Sequence, residues 1–172
     1  MNRIFANFHD ILRLSKELLS RLQERMVSSS HKPPNETYQA EPTVDWDPVH
    51  DAIGDLLVPI APFLKMYSLF MQNFSNSMQC IENEQRSNER FRFFLREATK
   101  NFDGASSRGT LLGLEAQLLS IVQRVPRYRL LLHALLQNTP LEHKDHPWLS
   151  ETYAVVDHIA TFVNEHVRQH EL

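Results

Sequence analysis

The sequence predicts an all-α fold, an irregular bundle of five to six helices, from three observations. Only four glycines occur among 172 residues, too few for an architecture built on many tight turns. Apolar residues recur at three- and four-residue steps over most of the chain, the period of one helix face. No stretch of useful length alternates apolar and polar residues as a half-buried strand would. No repeat of 20 to 50 residues is present either, which sets a solenoid aside.

The first helix is expected from Ile4 to Met26. Ile4, Phe8, Ile11, Leu12, Leu14, Leu18, Leu19 and Leu22 form its apolar stripe, with Lys16, Glu17, Arg21 and Glu24 mostly opposite. From there to Asp47 the chain is polar, with Ser28-Ser29-Ser30, Pro33-Pro34 and Pro42 and no helical period. Residues 28–47 therefore read as a flexible polar insert within one domain. Asp47 followed by Pro48 has the form of a helix cap with proline in the first turn. The helix it opens carries Val49, Ile53, Leu56, Leu57, Ile60 and Leu64, and Pro59 and Pro62 should bend or break it.

A second periodic stretch runs through Met66, Leu69, Phe70, Phe74, Met78 and Ile81. Another is marked by Phe91, Phe94, Leu95 and Phe102 and closed by Asp103-Gly104, and Ser106 to Gly109 reads as a short connector. Beyond it a long leucine-rich helix spans Leu111 to Leu136. Pro126 removes one backbone donor there and presses on the carbonyl of Val122, so a kink is expected. After the proline-containing stretch from Thr139 to Pro147, Trp148, Tyr153, Val156, Ile159, Phe162, Val163 and Val167 give a final amphipathic helix.

Composition restricts function. The chain is 42% hydrophobic and 23% charged with a net charge of -3, so it offers no basic field for nucleic acid or acidic lipid. The single cysteine, Cys80, cannot form an internal disulfide, and no apolar run reaches membrane-span length. A reducing, cytoplasmic setting and no direct membrane insertion are expected. Nine histidines include His166 and His170 at four-residue spacing, but no third ligand accompanies them and the glutamate of a zincin helix is absent. Glycine-rich phosphate loops are absent too, so no nucleotide, metal or other cofactor is expected on the chain itself.

The informative segment is Gln123-Arg124-Val125-Pro126-Arg127-Tyr128-Arg129-Leu130-Leu131-Leu132. It resembles the third conserved region of Dbl-homology domains, the helical modules that release nucleotide from Rho-type small GTPases. Ile4 to Ile11 resembles that family's second helix, and Ile159 to Glu171 its last long one, so the resemblance covers nearly the whole chain. It implies an elongated helical bundle and a guanine-nucleotide exchange factor acting on a Rho-family GTPase, a regulator rather than an enzyme that makes or breaks bonds. It also implies that Arg127 and Asn164 contact the GTPase, with Gln123 and Tyr128 as structural members of the signature.

The family's first conserved helix, which carries a contacting glutamate, falls upstream of the segment that Met1 begins. The expectation is an amino-terminally truncated domain with an uncovered apolar groove, and the alternative is a catalytically impaired Dbl-homology-like scaffold. Many relatives continue into a lipid-binding pleckstrin-homology domain beyond the equivalent of Leu172, which leaves recruitment to the membrane periphery to a neighbouring module. Where the family often has a basic residue and a proline, this sequence has Ser120 and Ile121.

Helical spacing adds its own reading. Ser120, Arg124 and Arg127 fall in one polar row, and Asp157, Thr161, Asn164 and Arg168 in another beside the Ile159, Val163 and Val167 stripe. Two helices packed through their apolar faces would present these rows side by side. Arg124, Arg127, Asn164 and Arg168 are thus the expected GTPase-binding residues.

Overall fold

A computed structural model of the chain describes residues 2–28, 47, 49–103 and 113–169. Among these the secondary structure is entirely helical, as expected. The leading amphipathic segment is split into α1 (Asn2–Phe5) and α2 (Phe8–Ser28). Ala6 between them has a φ of 39°, in the left-handed region. Asn7 fixes the turn, its carbonyl accepting from the amides of Asp10 and Ile11 while its side-chain amide donates 2.9 Å to the Met66 carbonyl. The polar insert expected at 28–47 lies outside the described residues apart from its two ends.

Asp47 acts as a cap, its carboxylate accepting 2.8 Å from the Val49 amide. The helix expected to follow is broken more finely than two prolines suggested, into a turn at 47–51, α3 (Gly54–Leu57) and a 3₁₀ segment (Ala61–Lys65). α3 begins where Ile53 and Gly54 donate to the carboxylate of Asp145, at 3.0 and 2.7 Å, across the fold from it in sequence. α4 (Met66–Gln72) and α5 (Phe74–Ser87) meet at Asn73, whose side-chain amide donates to the Ser77 hydroxyl one turn on. α6 (Glu89–Asp103) starts on the Asn88 side chain, which accepts from the Phe91 amide. The expected connector at 106–109 lies outside the described residues.

The leucine-rich helix is two helices, α7 (Leu114–Val122) and α8 (Arg124–Gln137), and a short loop leads from α8 into α9 (His146–Gln169). α8 and α9 pair as an antiparallel hairpin, the most extensive packing in the molecule, and α3, the 3₁₀ segment and α4 lie against α9. Tyr67, Phe70, Met71, Ile81, Val122, Val125, Leu149, Val156 and Val163 are all at most 2% exposed and form the centre of the core. Burying one such aliphatic or aromatic side chain stabilises by ~1.5 to 3 kcal/mol. An apolar cavity of about 220 Å³ opens between α2, α3, α8 and α9, lined by Leu18, Leu22, Leu57, Tyr128, Leu131 and Leu135. No helix of the described residues is long and apolar enough to cross a membrane.

Candidate functional site: the α8–α9 hairpin

Pro126 is the third residue of α8, where its missing amide proton would otherwise have bonded the Val122 carbonyl. The helix therefore breaks at Gln123, and the kink expected at the proline appears three residues before it. Around this break the signature side chains partner each other. Arg124 donates twice to the Tyr128 hydroxyl, at 3.0 Å from Nε and 2.7 Å from Nη2, and its guanidinium lies 5.6 Å from the Tyr128 ring centre. Arg127 donates 3.2 Å to Oε1 of Gln123. Tyr128 itself is half-buried against the core. Next to it the buried Tyr67 hydroxyl stands 3.4 Å from Ser15 Oγ. Burial chiefly pushes that phenol's pKa up, with Ser15 opposing. Arg124 and Tyr128 thus tie the signature into α2 and α4.

Arg127 is exposed on the outer side of α8, and so are Leu130 and Leu131, each 67% exposed and one turn further along. Of the neighbouring leucines in the leucine-rich helix, Leu132 is buried. The result is a cation beside exposed leucines, of which Leu131 also borders the apolar cavity.

On α9, Asn164 and Arg168 are exposed, and Arg168 pairs with Glu165 on its own helix at 2.9 Å. Asp157, from the α9 row, forms its ion pair with Arg129 rather than with Arg124 or Arg127. Arg129 is two residues from Arg127, about 200° around the helix, so the two arginines leave α8 on different sides. Sequence reasoning passed over Arg129, although it lies four residues after Val125 and three before Leu132, on the flank of the buried stripe. Beside this pair, His133 and Tyr153 place their rings 5.6 Å apart. No group of three or more potential metal ligands occurs among the described residues.

Comparison with known proteins decides the family. The model of the RhoGEF domain matches residues 1–164. The chain belongs to the RhoGEF domain family. Guanine exchange factor for Rac 30 of Dictyostelium discoideum is 35% identical over 126 residues, which cover 73% of this chain and 7% of that protein. The mouse FYVE, RhoGEF and PH domain-containing protein 6 is 28% identical over 98% of the chain, again only 10% of its own length. The chain therefore spans a small part of these relatives.

Solved structures agree on the fold. The DH domain of FARP2 superposes with a TM-score of 0.73 at 20% identity, covering 99% of this chain and 73% of that one. The PDZ-RhoGEF DH/PH domains, solved in complex with activated RhoA, superpose with a TM-score of 0.71 at 22% identity over 99% of this chain and 43% of that one. Domains of this family regulate GTPases.

Proposed function

We propose that this chain is a guanine-nucleotide exchange module that binds a Rho-family small GTPase and promotes GDP release by stabilising the nucleotide-free state. Membership of the RhoGEF domain family carries the reading, and the exposed Arg127 between Leu130 and Leu131 supplies a surface suited to it. The chemistry is differential binding. A module that holds the nucleotide-free GTPase tighter than the loaded form lowers the barrier to release, and every 1.4 kcal/mol of that preference accelerates release about tenfold.

Arg127 is assigned a permanently charged fork for carboxylates or carbonyls of the GTPase, with Leu130 and Leu131 as its apolar surround. Asn164 is assigned donor and acceptor contacts to a switch-region backbone. Arg168 contributes charge at the edge of the same helix. Arg124 acts through Tyr128, as a positioning residue for the signature turn. The reading places the chain in the cytoplasm, recruited to membranes through neighbouring modules and needing no metal or cofactor of its own.

The test is release of a fluorescent guanine nucleotide from a panel of Rho-type GTPases. Asn164→Ala and Arg127→Ala should each reduce the acceleration by about tenfold, the loss expected for one or two hydrogen bonds made in the transition state. A chain that accelerates release from none of the panel overturns the assignment.

A further inference from the structure

Arg129 and Asp157 form an ion pair that crosses from α8 to α9. The rings of His133 and Tyr153 lie 5.6 Å apart, tilted by 52°, one turn further along the hairpin. Four residues forward on α8 thus match four residues back on α9, which fixes the pairing of the two antiparallel helices on this flank. In the other direction α9 runs back toward the start of α8 at the break, with Asn164 two turns beyond Asp157. Asp157 and Asn164 are seven residues apart and share a helix face.

We propose that Arg129 is a positioning residue for exchange, which through Asp157 holds the rotation of α9 so that Asn164 is presented beside the signature break. The inference rests on the exchange reading given above. Core packing of Val125, Leu132, Val156 and Val163 holds the helices together, but those side chains lie on the stripe facing inward. The flanking pair adds a directional, charged tie to that packing on the side of the hairpin. The two side chains remain 39% and 37% exposed, so the pair adds little to global stability. Its influence on a local two-state balance is correspondingly a matter of a few-fold. Function should therefore respond where stability hardly does.

Two measurements on the 172-residue chain separate the possibilities: nucleotide release from its GTPase, and amide hydrogen exchange of residues 158–165 in the chain alone. Arg129→Ala and Asp157→Ala should each slow stimulated release by ~3- to 5-fold, a range set by the modest strength of exposed ion pairs. Both should also speed amide exchange in 158–165 by a similar factor, with the melting temperature almost unmoved. Arg129→Lys should keep most of the activity, and the reversed pair, Arg129→Asp with Asp157→Arg, should recover both readouts. Arg25→Ala, which breaks a comparable ion pair elsewhere, is the stability control and should leave release unchanged.

Unchanged amide exchange in the single variants, or a reversed pair no better than they are, overturns the clamp. If the parent chain still accelerates release, the exchange reading stands without it. An amide response in a chain that accelerates no release overturns the presentation of Asn164 to a GTPase, together with the reading it rests on.

Discussion

Gly54→Ala should be among the most damaging single-methyl additions in this fold, and the reason is local. A Cβ at Gly54 would lie 2.5 Å from Oδ1 of Asp145, 2.7 Å from Cβ of Trp148 and 3.0 Å from the backbone nitrogen of Leu149. None of these is the free end of a flexible side chain. Asp145 is 4% exposed, and its carboxylate already accepts the amides of Ile53 and Gly54, while its carbonyl accepts the Leu149 amide that opens α9. Moving it weakens the start of two helices at once.

Overpacking costs about 1 to 3 kcal/mol, and each weakened bond to a charged acceptor up to roughly 1.5 to 3. The better helix propensity of alanine returns ~1 kcal/mol. With partial relaxation the net loss should be about 3 kcal/mol, or a fall in melting temperature of roughly 6 to 12 °C for a chain of this size. Urea unfolding followed by circular dichroism measures it. Gly113→Ala is the control, because the nearest atom to its new methyl is the mobile carboxylate of Glu115 at 3.0 Å, and it should cost less than about 1 kcal/mol. A Gly54→Ala loss no larger than the control's would refute the reasoning.

Tyr128→Phe removes the acceptor of both Arg124 bonds without changing the packed ring. It should cost about 1 kcal/mol in urea unfolding, since Arg124 regains water. A loss above ~3 kcal/mol would mean that the hydroxyl is needed inside the core. Asp55 is held below the usual carboxylate range, chiefly by its hydrogen bond from Arg25. A folded pKa below the unfolded one means that the pair's contribution is present above about pH 4 and disappears as pH falls through the folded value. Both side chains are partly exposed, at 27% and 35%, so that contribution is screened to about 1 kcal/mol. Stability profiles of the parent and Arg25→Ala should run apart at neutral pH and converge in acid, and a constant offset down to pH 2 would contradict this.

The helical architecture was legible because its signal is repeated many times over, and no single residue decides it. Ile11, Phe70, Phe74, Ile81, Val156 and Val163 all fall on the predicted stripes and are all buried. Breaks in the helices were legible where proline makes them and hidden where polar side chains do. Pro59, Pro62 and Pro126 announced theirs, whereas Asn7 marks a break by bonding the Met66 carbonyl, a group whose proximity only the fold creates. Asp145 was unreadable for the same reason, since the amides it caps are some 90 residues away. At the candidate site the signature was plain, but which of its three arginines would face a partner was not. A wheel drawn through Ser120, Arg124 and Arg127 assumes one continuous helix, and the break at Gln123 invalidates it.

One short segment serves both packing and presentation. Leu118, Val122, Val125 and Leu132 lie within about 80° of one another at helical spacing, and Val122 and Val125, on either side of the break at Gln123, are both almost fully buried. The residues left facing outward on the first turns of α8 are then Arg124, Arg127, Leu130 and Leu131. Arg124 is drawn back onto Tyr128, which leaves Arg127 with only a bond from its tip to Gln123 and two exposed leucines around it. Arg124 thus supports the fold through the Tyr128 hydroxyl, and Arg127, held only to the neighbouring turn, is the arginine of the signature that a partner could engage.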